Sequence, residues 1–198
     1  MAEVHDSKGR SHKRITILGG KQLTIKLVRH PTDEDWMLVK QCTLVTVGLK
    51  SSKPPDDEWK KKMLRARHSP IRELRFVFLL EDVPYWVAMH LVRHHIGCQP
   101  YVRTQRNDRQ TDYDRKKAPQ DAPVDMMWSM NAEALMTIAN KRLCEQAAPE
   151  THDVVQAMCV LAVRDNPEFD EFLVPMCEYH NGICHEFNPC GKYPVSKE

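Results

Sequence analysis

The stretch 74–95 constrains the fold more than any other part of the chain. Residues 74–79, LRFVFL, have the composition of a β-strand, and the EDVP sequence at 81–84 turns the chain into a predicted helix over Tyr85–His94. That helix ends in three adjacent cationic or titratable side chains, Arg93-His94-His95. Such a cluster is suited to clamp an anion, because arginine offers planar, bidentate geometry to phosphates. The alternative is a solvated basic helix end that complements the helix dipole.

The remaining periodic segments predict an α+β domain, an antiparallel sheet flanked by helices. Strands are predicted near 14–18 and 22–29, joined as a hairpin about Gly19-Gly20. The polar stretch 104–123 is interpreted as a surface loop or as a segment that a ligand orders. Further helices are predicted over Asp33–Leu44, with an N-cap at Thr32 or Asp33, and over Asp57–Arg65. A long helical segment is predicted from Met126 through Asn140 to Met158, with a break at Ala148-Pro149. The last predicted helix covers Phe169–Tyr179.

Composition restricts the classes of protein to which the chain can belong. Its 198 residues fit one domain, for which we predict a disordered tail over 1–13, a folded region over 14–175 and a Cys/His-rich tail over 176–198. No run of about eighteen apolar residues is present, so no membrane span is predicted. The net charge of +2 argues against a nucleic-acid-binding protein. The seven cysteines and the lack of an apolar signal core favour a reducing, cytoplasmic location.

The Cys/His-rich tail has the composition of a metal site. Thiolate and imidazole ligands at short spacing suit tetrahedral zinc, and we predict that the ligands are Cys177, His180, Cys184 and Cys190. An iron–sulfur cluster with three Cys and one His is a second interpretation. The third is a packed tail whose cysteines are reduced and bind nothing.

Two stretches of the chain resemble the flavin-dependent thymidylate synthases. The first stretch, residues 67–106, is similar to that family's His-x-Ser/Thr-Pro element, Phe-x-Phe strand and helix ending in Arg-His-Arg. Its sequence is RHSPIRELRFVFLLEDVPYWVAMHLVRHHIGCQPYVRTQR. MNAEALMTIANKRLCEQA, residues 130–147, resembles the family's Asn-x-Arg helix. The resemblance implies the family's fold and a homotetramer with sites shared between subunits. It also implies FAD as cofactor, methylenetetrahydrofolate and NADPH as co-substrates, and a pyrimidine nucleotide, dUMP, as the acceptor of the one-carbon unit and hydride.

The resemblance also implies roles for individual residues. In place of the family's flavin contacts this chain has Ser69, Arg93, His94, His95 and Asn131. His95 stands where the family has a second arginine, so an imidazole replaces a permanently charged guanidinium. The matched stretch further puts Glu133 where an arginine is usual.

The family's nucleotide-binding motif is only partly preserved. Arg142 aligns with an arginine that contacts the nucleotide, whereas Cys98, Tyr101, Arg103 and Gln105 replace Ser, Glu, Ser and Arg. Arg103, Arg106 and Arg109 would form a substitute phosphate-binding stripe if this segment were helical, and the alternative is a solvated charged loop. The predicted substrate contacts are therefore Arg142, Arg103, Gln105 and Arg106. No catalytic residue is assigned, because in the resembled reaction the cofactor performs the chemistry.

Three hypotheses of function follow. The first is a divergent flavin-dependent thymidylate synthase-like enzyme that acts on dUMP or a related pyrimidine nucleotide. The second is an oligomer that keeps the fold and binds a nucleotide or flavin, but has changed its substrate or lost catalysis. The third, a nucleic-acid-binding module built on segment 103–117, is disfavoured by the near-neutral charge and by the interleaved Asp108, Asp112 and Asp114.

Overall fold

The computed structural model of the protein describes residues 3–5, 11–16, 20–106, 108–110 and 113–196. These residues form an antiparallel sheet of six strands in the order β1-β2-β3-β4-β6-β5. The strands are β1 (Glu3–His5), β2 (Ser11–Thr16), β3 (Gln22–Arg29), β4 (Arg75–Pro84), β5 (Cys98–Val102) and β6 (Pro123–Asn131).

Six α-helices and two short 3₁₀ turns complete the described part of the chain. They are α1 (Asp33–Val45), α2 (Asp57–Arg65), α3 (Tyr85–Val92), α4 (Ala132–Arg142), α5 (Pro149–Asp165) and α6 (Met176–Tyr179), with 3₁₀ turns at Ser69–Glu73 and Pro167–Phe169. Thr32 caps α1 through a reciprocal capping box with Asp35, and Asp56 caps α2 by accepting from the Trp59 amide.

The core lies on one face of the sheet. Alternate residues of the three central strands are buried, as the period of two of a strand requires: Leu23, Ile25 and Leu27 of β3, Phe76, Phe78 and Leu80 of β4, and Met126, Trp128 and Met130 of β6. The long helix α5 packs on β2 and β3 and contributes buried residues such as Val155, Met158 and Leu161. Burying one apolar side chain of this size stabilises the fold by about 2 kcal/mol, so this face holds the domain together.

The predicted fold class, an antiparallel sheet with flanking helices, is confirmed. Helix α2 has the predicted bounds, and α1 extends one residue beyond the predicted Leu44. Of the two predicted caps, Thr32 and Asp33, Thr32 is the cap of α1. The predicted helix over Tyr85–His94 is α3, which ends at Val92. In these segments local signals and tertiary packing agree.

The prediction of a helix starting at Met126 was wrong for its first part. Residues 123–131 form β6, which pairs with β4 on one side and β5 on the other, and the helix begins at Ala132. Methionine favours helices, but pairing with two strands overrides that local preference. The predicted helix over Phe169–Tyr179 was also wrong: only its ends are helical, as the 3₁₀ turn ending at Phe169 and α6 after Pro175.

The sheet extends further toward the N-terminus than the predicted hairpin. β2 covers Ser11–Thr16 and pairs with Glu3–His5, so part of segment 1–13 is paired in the sheet rather than disordered. Of the predicted hairpin turn, Gly19 lies outside the described residues. The division between a domain over 14–175 and a tail over 176–198 stays a prediction. Among the described helices, none is both long and apolar enough to cross a membrane.

Candidate functional site

A cleft of about 600 Å³ opens where the chain leaves α3 and meets the first turns of α4. This volume is in the range of ligand-binding pockets. Residues 93–98 line it, together with residues of α4 and one arginine from the Ser69–Glu73 turn. Its lining includes four basic side chains, Arg72, Arg93, His94 and His95, and the polar side chains of Cys98, Asn131 and Glu133.

Asn131 joins the two elements that form the cleft. It ends β6 and caps α4, since its side-chain Oδ1 accepts from the Ala134 backbone N–H at 2.8 Å. The backbone N–H of Asn131 donates to the Gly97 carbonyl at 3.0 Å. Gly97 has φ +72°, and a Cβ there would lie 2.7 Å from Asn131 Nδ2. Only glycine therefore fits this position, where the loop after α3 rests on the start of α4.

His94 and Arg142 connect the two stretches that the sequence predicted would converge. Arg142 Nε donates to His94 Nε2 at 2.8 Å, and Arg142 Nη2 lies 3.5 Å from the His90 carbonyl oxygen. Burial, and then the nearby charges of Arg142, Arg93 and His95, lower the pKa of His94 to about 4. His94 is therefore neutral at pH 7, with its proton on Nδ1, and can accept from the guanidinium.

Arg93 and Arg142 bring positive charge to the cleft. Burial, followed by the charge of Arg93, lowers the pKa of Arg142, so these two arginines lie in one electrostatic environment. Within the described ranges, no carboxylate forms an ion pair with either arginine. Glu133, the acid in the lining, instead pairs with Arg72, whose Nε lies 2.5 Å from Glu133 Oε2. Uncompensated arginines beside a nucleotide-sized cleft form a site for an anionic ligand.

Cys98 lies in the cleft as a neutral thiol. Burial raises its pKa to about 11, against a smaller opposing effect of the Arg75 charge. Only the thiolate is strongly nucleophilic, so this side chain does not supply a nucleophile at neutral pH.

Four of the five predicted flavin contacts, Arg93, His94, His95 and Asn131, line the cleft. The fifth, Ser69, is exposed at the start of the 3₁₀ turn and does not line the cleft. Arg72 lies three residues after Ser69, and residues at this spacing lie in line along a 3₁₀ helix. Arg72 was not predicted as a residue of the site. The 3₁₀ turn therefore brings Arg72, rather than Ser69, to the cleft.

The predicted substrate contacts divide into two groups. Arg142 lies behind His94, beside the cleft, whereas Arg103, Gln105 and Arg106 do not line it. Residues 103–106 are neither helix nor strand, so of the two alternatives, a helical stripe of arginines and a charged loop, these residues follow the second. Arg103 lies near Asp125, with 3.9 Å between Nη1 and Oδ2, and Arg106 forms a bidentate pair with Asp108 at 2.9 and 2.6 Å. A role in binding for these three residues stays a prediction.

The predicted zinc site at Cys177, His180, Cys184 and Cys190 is not formed. In the described part of the chain, no group of three or more His, Cys, Asp or Glu side chains is placed to hold a metal ion. The His180 ring packs against Tyr179 and His185, with centroids 5.5 and 4.7 Å away. Cys184 is buried where the tail pairs with Val195, while Cys190 is exposed. Short spacing brings these residues into one segment, but the fold of that segment does not create a shared coordination sphere.

Comparison with known proteins gives one family-model match and similarity of fold to solved structures. The family model described as thymidylate synthase complementing protein matches residues 101–168. The fold is similar to the UMP/dUMP methylase PolB from Streptomyces cacaoi bound with 5-Br dUMP, with a TM-score of 0.58 and 16% identity over 77% of this chain and 97% of that one. It is also similar to thymidylate synthase X from Helicobacter pylori with FAD and dUMP, with a TM-score of 0.54 and 13% identity over 69% of this chain and 92% of that one. No curated protein sequence matches the chain.

Three observations therefore coincide. The matched segment contains Arg142 and the whole of β6, α4 and α5. The fold is shared with solved structures along most of the chain. The stretches 67–106 and 130–147, which carry the sequence resemblance, meet at one cleft. The fold of the chain is therefore similar to that of thymidylate synthase X, and residues 101–168 match the family model described as thymidylate synthase complementing protein.

Proposed function

We propose that this protein binds FAD and a pyrimidine nucleotide at the cleft and transfers a one-carbon unit and hydride to dUMP or a related nucleotide. The observation that carries the proposal is the convergence of Arg93 and Arg142, through His94, beside a cleft of about 600 Å³. Two arginines that pair with no carboxylate of the described residues match the charge of a nucleotide phosphate, which is about −2 at neutral pH. The solved relatives bound with 5-Br dUMP, or with FAD and dUMP, support this choice of ligands.

The donors of the cleft fit a flavin dinucleotide or a nucleotide phosphate. Arg93 would bind phosphate oxygens directly, since it is exposed and lines the cleft. Neutral His94 holds Arg142 in place by accepting from its Nε. Asn131 uses its Oδ1 to cap α4, which leaves its Nδ2 amide as a donor at the cleft.

The proposed chemistry places few demands on side-chain reactivity. A flavin held by Arg93 and Asn131 would supply redox chemistry, and methylenetetrahydrofolate and NADPH are the proposed co-substrates. Cys98 remains a thiol, because its pKa is about 11, and so it does not compete as a nucleophile. The chain's own contribution is to bind the phosphates, to orient the ligands and to exclude water.

We also propose that the protein works as a homo-oligomer, a tetramer, in the cytoplasm. Ile96, which lines the cleft, is 82% exposed, and Tyr101 on strand β5 is 60% exposed. β5 is the last strand of the sheet, so one side of it is open to pairing. A second copy would cover these apolar side chains. The free cysteines of the described chain suit a reducing compartment.

A second candidate function is nucleotide or flavin binding without turnover. It is favoured by the position of Arg103 and Gln105, which replace the family's substrate-binding residues and do not line the cleft. In that case the phosphate-binding part of the site is kept and the part that positions the pyrimidine is lost.

The test is a titration of the purified chain with FAD and dUMP, followed by a turnover assay with methylenetetrahydrofolate and NADPH. Binding with formation of methylated nucleotide supports the first function, and binding without product supports the second. Absence of binding of both ligands to the wild-type chain overturns both.

Substitution separates specific binding from general charge in this test. Arg142→Gln should weaken binding at least about tenfold, since it removes a charged hydrogen-bond donor. Arg164→Gln is the matched control, because Arg164 also lies in the last turn of its helix but forms an ion pair with Asp165 at 3.0 Å. Equal affinity of the two variants for FAD and dUMP would argue against binding of these ligands at the cleft.

A further inference from the structure

We propose that Arg72 is a phosphate-binding residue of the cleft and that Glu133 positions its guanidinium. This inference rests on the proposed function, because it names a further contact to the same anionic ligand. Arg72 is outside the residues that the family resemblance assigned, and it reaches the cleft from a different element, the Ser69–Glu73 turn.

The backbone fixes Arg72 beside the start of α4. The Leu74 carbonyl accepts from the Ala132 amide at 2.9 Å, and Arg75 pairs with Asn131 in the sheet. The side chains of Ile71 and Leu74 are both fully buried. These contacts leave little freedom to the short segment, so the Arg72 side chain leaves the backbone at a defined place, 56% exposed, next to the cleft.

Glu133 engages one edge of the guanidinium and leaves the other free. The Arg72 Nε donates to Glu133 Oε2 at 2.5 Å. Within the described chain, Nη1 and Nη2 of Arg72 have no hydrogen-bond partner. A guanidinium has five N–H donors, so about four remain available in the planar fork that suits bidentate binding of phosphate. Glu133 thus orients an arginine instead of blocking it.

The charge balance of the cleft favours this arrangement. Glu133 alone would repel a phosphate, but the Arg72 charge beside it cancels that repulsion. Hydrogen bonding and attraction from Glu133 raise the pKa of Arg72, so its charge is permanent. Arg93 and Arg142 have no carboxylate partner among the described residues and set the net positive charge near the cleft, and Arg72 adds directional donors without increasing that net charge.

The experiment compares ligands with and without phosphate. Dissociation constants are measured on the full chain for FAD and dUMP, and for riboflavin and deoxyuridine. Arg72→Gln should weaken binding of FAD or dUMP by about 10- to 100-fold, the effect of losing hydrogen bonds between charged groups, and should change the phosphate-free ligands by less than about twofold. Arg65→Gln is the control, because Arg65 forms an exposed pair with Glu171 at 3.2 Å and does not line the cleft.

A double variant separates the loss of a donor from the exposure of an unpaired carboxylate. Arg72→Gln combined with Glu133→Gln removes both charges. If Arg72 binds phosphate, affinity in the double variant stays at least about tenfold below that of the wild type. Recovery of wild-type affinity would overturn the proposal, as would an equal loss for the phosphate-free ligands or an Arg72→Gln variant that binds FAD and dUMP normally. A wild-type chain that binds neither would instead refute the proposed function itself.

Discussion

Replacing Gly97 by alanine tests how the cleft is built. Gly97 has φ +72°, a region that costs an alanine about 1 kcal/mol or more. The new Cβ would lie 2.7 Å from Asn131 Nδ2, 3.0 Å from Asn131 Oδ1 and 3.1 Å from the Ala134 Cβ. Overpacking of this kind costs about 1–3 kcal/mol. The expected loss in the free energy of unfolding is therefore about 2–4 kcal/mol.

Gly48→Ala is the matched control for backbone strain. Gly48 has φ +68°, but a Cβ there would meet nothing within 4 Å, so only the conformational cost of about 1 kcal/mol applies. The difference between the two variants isolates the contact with Asn131, and we expect it to be about 1–3 kcal/mol.

Urea unfolding, followed by circular dichroism, measures both values, and ligand titration measures the effect on the cleft. A shifted Asn131 would lose its cap on α4 and its place in the cleft lining, so Gly97→Ala should weaken FAD or dUMP binding while Gly48→Ala leaves it unchanged. Equal destabilisation by the two substitutions would refute the reasoning, because the close approach of Gly97 to Asn131 would then have no energetic consequence.

Three further predictions concern titration, buried hydrogen bonds and thiol reactivity. Because the pKa of His94 falls from 6.5 to about 4 on folding, the unfolded chain binds more protons between these values, so stability is full above pH 6.5 and declines toward pH 4. After allowance for partial exposure, the loss in the free energy of unfolding between pH 7 and pH 4.5 is about 1–2 kcal/mol. His94→Gln should remove this pH dependence, which urea unfolding at the two pH values measures. The same pH dependence in the wild type and the variant would contradict the prediction. Asn140→Ala should lower the free energy of unfolding by about 2–3 kcal/mol in the same assay. The reason is that fully buried Asn140 donates to the Val174 carbonyl at 2.7 Å and accepts from Arg67. A loss below about 0.5 kcal/mol would contradict the importance of these two hydrogen bonds. At pH 8, iodoacetamide should alkylate Cys98 at least about tenfold more slowly than exposed Cys190, and mass spectrometry showing equal rates would contradict the raised pKa of Cys98.

Much of the cleft could be predicted from the sequence because its residues lie in two ordered motifs. Arg93 and His94 end an apolar helix, and Asn131 and Arg142 sit on the helix that resembles the family's second motif. The structure brings these four residues together through the His94–Arg142 hydrogen bond and the lining of the cleft. Their roles in binding remain predictions.

Long-range contacts account for what the sequence did not predict. Arg72 and Glu133 are 61 positions apart, and no local pattern links them. β6 was missed because Met127, between the buried Met126 and Trp128, is also apolar, which hides the alternation that indicates a strand. The zinc prediction failed for a related reason: spacing along the chain shows which ligands are near in sequence, but tertiary packing decides whether they share one centre.

A crystal structure of the protein with FAD and dUMP tests the central claim most directly. We expect a phosphate group of one bound ligand in the cleft, within about 3 Å of a guanidinium nitrogen of Arg93 or Arg142, the distance of a charged hydrogen bond. Ligands bound at another site, with both arginines facing solvent, would contradict it.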